Sequence, residues 1–170
     1  MRQRRATGIA LMVLAGLLAA ACDGMVASPE IYPGLRGGMT IPQALTALHA
    51  QQSQIEVVEN TQNPPTDLRP PYHLQEIHLR GANCRGIPCR LHLIFFNDGL
   101  AEVIVYLKNP EEFKQTLEWA RGKNGMGLQS YLSTRGVRYI EGDNPQFGRF
   151  IGFGDAARLA ELRKWIERYA

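Results

Sequence analysis

"RLHLIFFNDGLAEVIVYL", residues 90–107, places two apolar-rich runs on either side of Asn97, Asp98 and Gly99. Such runs around a turn-forming triplet mark an antiparallel β-hairpin. With Phe96 opposite Leu100 across a three-residue loop, Gly99 takes the left-handed position that glycine tolerates. Leu91, Leu93 and Phe95 then share a face with Ala101, Val103, Val105 and Leu107. A two-residue loop would bring Glu102 among those side chains, because a slip of one residue exchanges the faces, so the three-residue register is the predicted one.

Working outward, "YHLQEIHLRG" (72–81) supplies a preceding antiparallel strand, and "QIEVVEN" (54–60) a short one before it. "NPPTDLRPP" (63–71) contains four prolines and reads as a loop. A first helix begins at "MTIPQALTALHAQ", where Thr40 and Gln43 form a capping box and Pro42 falls in the first turn. Ile41, Ala44, Leu45 and Leu48 give it one apolar face. After the hairpin, "NPEEFKQTLEWARGKNG" predicts a helix capped by Asn109, opened by Pro110 and ended at Gly122, with Phe113, Leu117 and Ala120 inward. Glu111 and Glu112 suit its positive end. "GLQSYLSTRG" is another short helix. Strands "VRYIEG" (137–142) and "GRFIGF" (149–154) flank "DNPQ", and Asp155 caps a last helix with Leu159, Leu162, Ile166 and Tyr169 on one side. Trp119 and Trp165 fall off the apolar stripes and are expected to cover the core's edge. This order implies an α+β domain, an antiparallel sheet with helices packed on one face.

The N-terminus has a different character. Arg2, Arg4 and Arg5 precede the apolar run Gly8–Ala21, a signal-peptide profile. Fourteen residues are fewer than the roughly twenty that span a bilayer as a helix. Ala19, Ala20 and Ala21 lead into Cys22, which resembles a bacterial lipobox, with Cys22 as the lipidated first residue of the mature chain. An ordinary secretory signal cleaved nearby is the alternative. Asp23 resembles an inner-membrane retention signal of enteric bacteria and tilts the choice of membrane only slightly. Residues 1–21 are thus expected to be a signal peptide, 22–38 a lipidated N-terminus with a flexible Gly- and Pro-rich tether, and 39–170 a single domain. The three signal arginines account for the whole net charge of +3, so the mature chain has no electrostatic footprint for nucleic acid.

Cys84 and Cys89 in "GANCRGIPCR" are an even pair in an exported chain, which favours a disulfide. C-x4-C alone is a weak zinc pattern and lacks the redox C-x-x-C spacing.

"GMTIPQALTAL" followed by "HLIFFNDGLAEVIVYL" resembles the small outer-membrane-assembly lipoproteins of the BamE (SmpA/OmlA) type and the related fold of β-lactamase-inhibitor proteins. Gly38, Met39 and Thr40 match the helix start, and Phe96, Asn97, Asp98 and Gly99 approximate the hairpin. The likeness covers residues 38–107; an aromatic W-x-Y strand is missing, and the cysteine loop and everything after Asn109 go beyond it. It implies a non-enzymatic, envelope-facing scaffold or binding module.

Catalytic patterns are missing from the sequence: no G-x-S-x-G, no H-E-x-x-H, and "GKNGMG" (122–127) lacks the phosphate-loop spacing. No catalytic residue, cofactor or metal site is expected. His49, His73, His78 and His92 are the histidines; His78 and His92 share the outer sheet face, as an exposed or satisfied pair too small to hold a metal. Arg135, Arg138 and Arg149, with Tyr139 and Phe147, form a possible binding surface for a carbohydrate or acidic peptide, against the plainer reading of a charged strand edge. The expectation is a lipid-anchored protein in the bacterial envelope, on the inner or outer membrane and facing the periplasm, that scaffolds an envelope protein partner. The alternative is an inhibitor or ligand-binding lipoprotein whose loops 63–71 and 142–147 insert into a hydrolase.

Overall fold

The computed structural model describes residues 28–64, 66–117 and 127–170. Cys22, the segment 1–21, Trp119, Ala120 and Gly122 lie outside the described residues. In chain order the elements are β1 (Glu30–Tyr32), β2 (Leu35–Arg36), α1 (Ile41–Ala47), a 3-10 turn (Gln52–Gln54), β3 (Ile55–Gln62), β4 (His73–Cys84), β5 (Ile87–Phe96), β6 (Gly99–Tyr106), α2 (Pro110–Thr116), α3 (Leu128–Ser133), β7 (Val137–Asn144), β8 (Gly148–Asp155) and α4 (Ala156–Tyr169). Strands β3–β4–β5–β6–β8–β7 form one antiparallel six-stranded sheet, and β1–β2 a separate small hairpin.

The central hairpin keeps the expected pairing of Leu93 with Val103 and Leu91 with Val105, by a different route. Its loop has two residues: Phe96 faces Gly99, while Asn97 (φ 47°) and Asp98 (φ 63°) both adopt the left-handed conformation. This is the twist that suits a tight hairpin, and Asn and Asp tolerate it. Phe95 then faces Leu100 but Ile94 faces Glu102, so a β-bulge restores the register that the shorter loop would have lost. The turn is fastened to β4, since the amide of His73 donates to Asn97 Oδ1 (3.0 Å) and its Nδ1 lies 2.8 Å from Asp98 Oδ1.

One face of the sheet carries the core. Leu93, Phe95, Val103, Val105, Ile151 and Phe153 are fully buried there. Ala44 of α1, Phe113 of α2 and Leu132 of α3 join the same cluster. Fully burying one such large side chain stabilises by about 1.5–3 kcal/mol. Asn109 Oδ1 accepts from the Glu112 amide, as a cap should. That helix, expected to run to residue 122, ends at Thr116, where Leu117 turns to extended backbone (ψ 123°), and residues 118–122 lie outside the described residues.

The N-terminal boundary needs correction. Residues 30–38, expected within the flexible tether, belong to the folded domain: Ile31 and Leu35 are fully buried and Tyr32 is 4% exposed. Tyr32 stacks on Phe113 at 6.3 Å and leans on Phe153 at 6.1 Å, and burial pushes its hydroxyl pKa up to about 12. The Gly38 amide donates to Leu100 O (2.8 Å), and the Leu100 amide to Met39 O (2.7 Å). The glycines of this stretch serve tight turns, Gly34 at φ 81° and Gly38 at φ 76°, rather than looseness.

The helices do not all lie on one face. A β-carbon on Gly154 would collide with Leu159, and Gly154 pairs with Glu102, on the face opposite the core. Trp165 stacks on Tyr72 at 4.2 Å, and Tyr72 meets Phe96 at 6.0 Å. α4 therefore crosses one end of the second face. It packs through Arg158, Leu159, Leu162, Trp165 and Tyr169, while Ile166, expected inward, is 47% exposed. No helix among the described residues is long and apolar enough to cross a membrane.

Candidate functional site

The second face holds a polar strip that the alternation of three strands creates. His78 on β4 pairs with His92 on β5, and Glu76 and Glu102 both face Ile94 from either side. His92 Nε2 lies 2.9 Å from Glu76 Oε2, and the two imidazoles meet edge to face at 4.4 Å. His78 and Glu102 are buried, at 6% and 7% exposure. Their Nε2 and Oε1 atoms have no hydrogen-bond partner among the described residues. The expectation of an exposed or satisfied histidine pair is thus overturned for His78.

Burial explains the charges of this strip. Desolvation, reinforced by His92 and Arg90, holds the His78 pKa below its ordinary value, which favours the neutral ring. Desolvation raises Glu102, against the pull of Arg138 and His92. The hydrogen bond with His92 lowers Glu76, overcoming its partial burial. No Ser, Thr or Cys side chain among the described residues is hydrogen bonded to either imidazole, so no nucleophile and base are joined there.

Phe147 is the lid of the strip. The β7–β8 turn folds its ring to 5.2 Å from both His78 and Tyr106, and Arg90 Cζ stands 4.6 Å from the ring centroid. On the outer side of this aromatic group, an open cleft of about 630 Å3 runs across the ends of β4, β5, β6 and β8. Arg80, Arg90, Lys108 and Arg149 are among the residues that line it, and none of the described lining residues is acidic. Arg80 is paired with Glu56 (2.6 Å). Arg90, Lys108 and Arg149 make no ion pair within 4.0 Å among the described residues. Cys84 and Cys89 stand at disulfide distance, Cα atoms 5.8 Å apart, and fasten the β4–β5 end beside the cleft.

The five residues proposed from sequence are divided by the fold. Phe147 and Arg149 line the cleft. Arg138 and Tyr139 line a second depression of about 530 Å3 between α3, β7 and α4, beside Arg163 and Lys164. Tyr139 is largely committed to structure, its ring 5.6 Å from Phe153 and its hydroxyl donating to Glu141 at 2.6 Å. Arg135 stacks near Tyr131 and donates to its hydroxyl. Sequence reasoning missed Arg90, Tyr106 and Lys108. Arg90 stands in alternation with the core residues Leu91 and Leu93, which assigns it to the second face, but only the curl of the β7–β8 turn brings Phe147 to it.

Among the described residues no group of three or more His, Cys, Asp or Glu side chains is placed to hold a metal ion. No protein-family model matches this chain, and no curated protein matches it significantly.

Proposed function

We propose that this protein is a lipid-anchored accessory protein of the bacterial envelope, attached through Cys22, facing the periplasm, and binding an envelope protein partner without catalysis. The observation that supports it best is one of direction. The chain enters the domain beside Gly37, Gly38 and Leu100, where the Gly37 amide donates to Pro29 O. The cationic cleft lies at the other end of the same strands, at Tyr106 to Lys108. At about 3.3 Å per residue, the length of β6 separates the two ends by roughly 23 Å. A chain held to a bilayer at Cys22 would present the cleft away from that bilayer, where a partner can reach it. The likeness to envelope-assembly lipoproteins favours the same reading.

The inhibitor reading draws less support. Its two loops, 63–71 and 142–147, sit at opposite ends of the sheet: Pro70 is held against α4, with Trp165 Nε1 donating to its carbonyl (3.0 Å), while Phe147 bends back over His78. They do not make one continuous inserting edge.

Cross-linking of the intact chain in envelopes, followed by identification of the adduct, tests the proposal. An adduct with a membrane-associated assembly is the expected result. A single soluble hydrolase would favour the inhibitor, and unchanged detergent-phase partitioning of Cys22→Ala would overturn the anchor.

A further inference from the structure

We infer that the loop between β3 and β4 is a seat on the bilayer, with Leu68 as the side chain that enters the lipid interface. The inference rests on the anchor at Cys22 proposed above and adds a second contact between the domain and the same membrane.

Leu68 is fully exposed, the most exposed large apolar side chain among the described residues. A lone exposed leucine is ordinary on a protein surface, but the loop around this one is built to hold it out. The last backbone rung between β3 and β4 runs from the Asn63 amide to Tyr72 O (2.9 Å), so residues 64–71 project beyond the sheet. Asn63 ties the loop across its base, donating from Nδ2 to Pro70 O (3.2 Å) and accepting from the Tyr72 amide (2.7 Å). Arg69 is fixed by the Asp67 carboxylate (2.6 Å) and by Tyr169 O (3.0 Å), with its Cζ 5.4 Å from the Trp165 ring centroid. A side chain presented by so fixed a loop loses little order on insertion.

The chemistry of the tip suits the boundary of water and lipid. A backbone amide that approaches lipid must bring its hydrogen-bond partner with it. The amides of Asp67 and Arg69 donate to Pro64 O and Asp67 Oδ1, both at 2.9 Å, and Pro64, Pro70 and Pro71 have no amide to satisfy. The pair formed by Asp67 and Arg69 cancels the charges on either side of Leu68. Behind the tip, Trp165 meets Tyr72 at 4.2 Å and Tyr169 at 5.5 Å, a half-buried aromatic group of the kind that favours the headgroup level.

The position of the loop points to the bilayer rather than to a protein pocket. His73, where the loop rejoins the sheet, exchanges hydrogen bonds with Asn97 at the β5–β6 turn, the end of the sheet at which Gly38 bonds to Leu100 and the chain enters the domain. β4 and β6 are separated by β5 alone, which puts them about 10 Å apart at the usual strand spacing. Cys22 is followed by seven residues up to and including Pro29, a reach of at most about 25 Å when extended. A domain tethered so closely meets the bilayer with this end, and the high effective concentration of lipid lets one modest apolar contact count.

The experiment uses the mature chain purified with its lipid, Cys84 and Cys89 kept oxidised, in vesicles of phosphatidylethanolamine and phosphatidylglycerol. An environment-sensitive fluorophore on Leu68→Cys should shift to the blue and be quenched by lipids that carry a spin label on the acyl chain. The same label on Lys108→Cys, an exposed position at the far end of β6, should stay in water. On Thr66→Cys the shift should persist, and adding Leu68→Asp should abolish it with an unchanged melting temperature. A label at position 68 that stays in water on vesicle-bound protein would overturn the inference and leave the anchor standing. So would an equal shift at position 108, persistence of the shift in the Leu68→Asp variant, or protection of position 68 by a protein in native envelopes and not by vesicles. Failure of the unlabelled chain to bind the vesicles would instead sink the anchor at Cys22, and the seat with it.

Discussion

The carboxylate of Asp155 occupies the space in which a β-carbon on Gly37 would stand: such an atom would collide with Oδ2 and lie 2.9 Å from both Cβ and Cγ. Asp155 is 4% exposed and accepts from the amides of Ala157 (3.0 Å) and Arg158 (3.3 Å), so it is the N-cap of α4. The residue that follows the N-terminal hairpin therefore fixes the start of the C-terminal helix.

Gly37→Ala should cost about 1–3 kcal/mol by overpacking and should loosen the first turn of α4. Hydrogen exchange at Ala157 and Arg158 reads the second effect. In an Asp155→Gly background the same substitution should cost much less, because the clashing carboxylate and its β-carbon are both gone. Additive costs would refute the coupling.

Ile31→Ala distinguishes a core hairpin from a tether. A fully buried isoleucine cut to alanine typically loses about 2–5 kcal/mol, enough to lower the melting temperature by several degrees. A melting curve unchanged from that of the parent protein would return residues 30–36 to the tether.

Replacing both Cys84 and Cys89 by serine opens a loop with a sequence separation of five. Chain entropy puts the loss at about 2 kcal/mol, or roughly 5–10 °C in melting temperature. Under reducing conditions the parent protein should fall to the same value, and a difference between the two would point to packing of the thiols rather than to the cross-link.

Glu102→Gln should stabilise the protein at neutral pH and hardly at all in acid. The folded pKa of Glu102 is raised above 4.5 by burial, so its contribution is present below that value and is lost as pH rises through the raised pKa. Glutamine removes this titration. His78 and Glu76 are lowered and act in the opposite sense, losing their contribution as pH falls, but they are common to both proteins. The difference in stability between variant and parent, followed by denaturant unfolding from pH 4 to 8, should therefore grow with pH. A difference independent of pH would show that the Glu102 pKa is not raised by folding.

Alternation and caps made much of the sheet legible. Leu91, Leu93, Val103 and Val105 had to share a face, and Asn109 and Asp155 had to begin helices, because these are properties of a few adjacent residues. The loop that joins β5 and β6 was less legible, since a bulge can cancel a change in loop length and leave the same pairs opposite one another. The hairpin of residues 30–36 was hidden by Gly and Pro, whose turn chemistry outweighed three apolar residues, Ile31, Tyr32 and Leu35. In the site, the face shared by His78 and His92 followed from register, but their depth did not. It depends on Phe147, about seventy positions from His78 along the chain, and no local pattern reports where a distant turn will fold.

The pairing of the Gly37 region with Leu100 and Asp155 also sets the order of events in folding. The residues around Gly37 find these partners only after β6, and then α4, have been made. Contacts this distant in sequence slow folding, and a chain made or exported from its N-terminus stays open until its last segment arrives. A form truncated before Asp155 would lose the carboxylate packed against Gly37, and its weak point in the cell would be proteolysis of an unfinished domain rather than loss of the cleft.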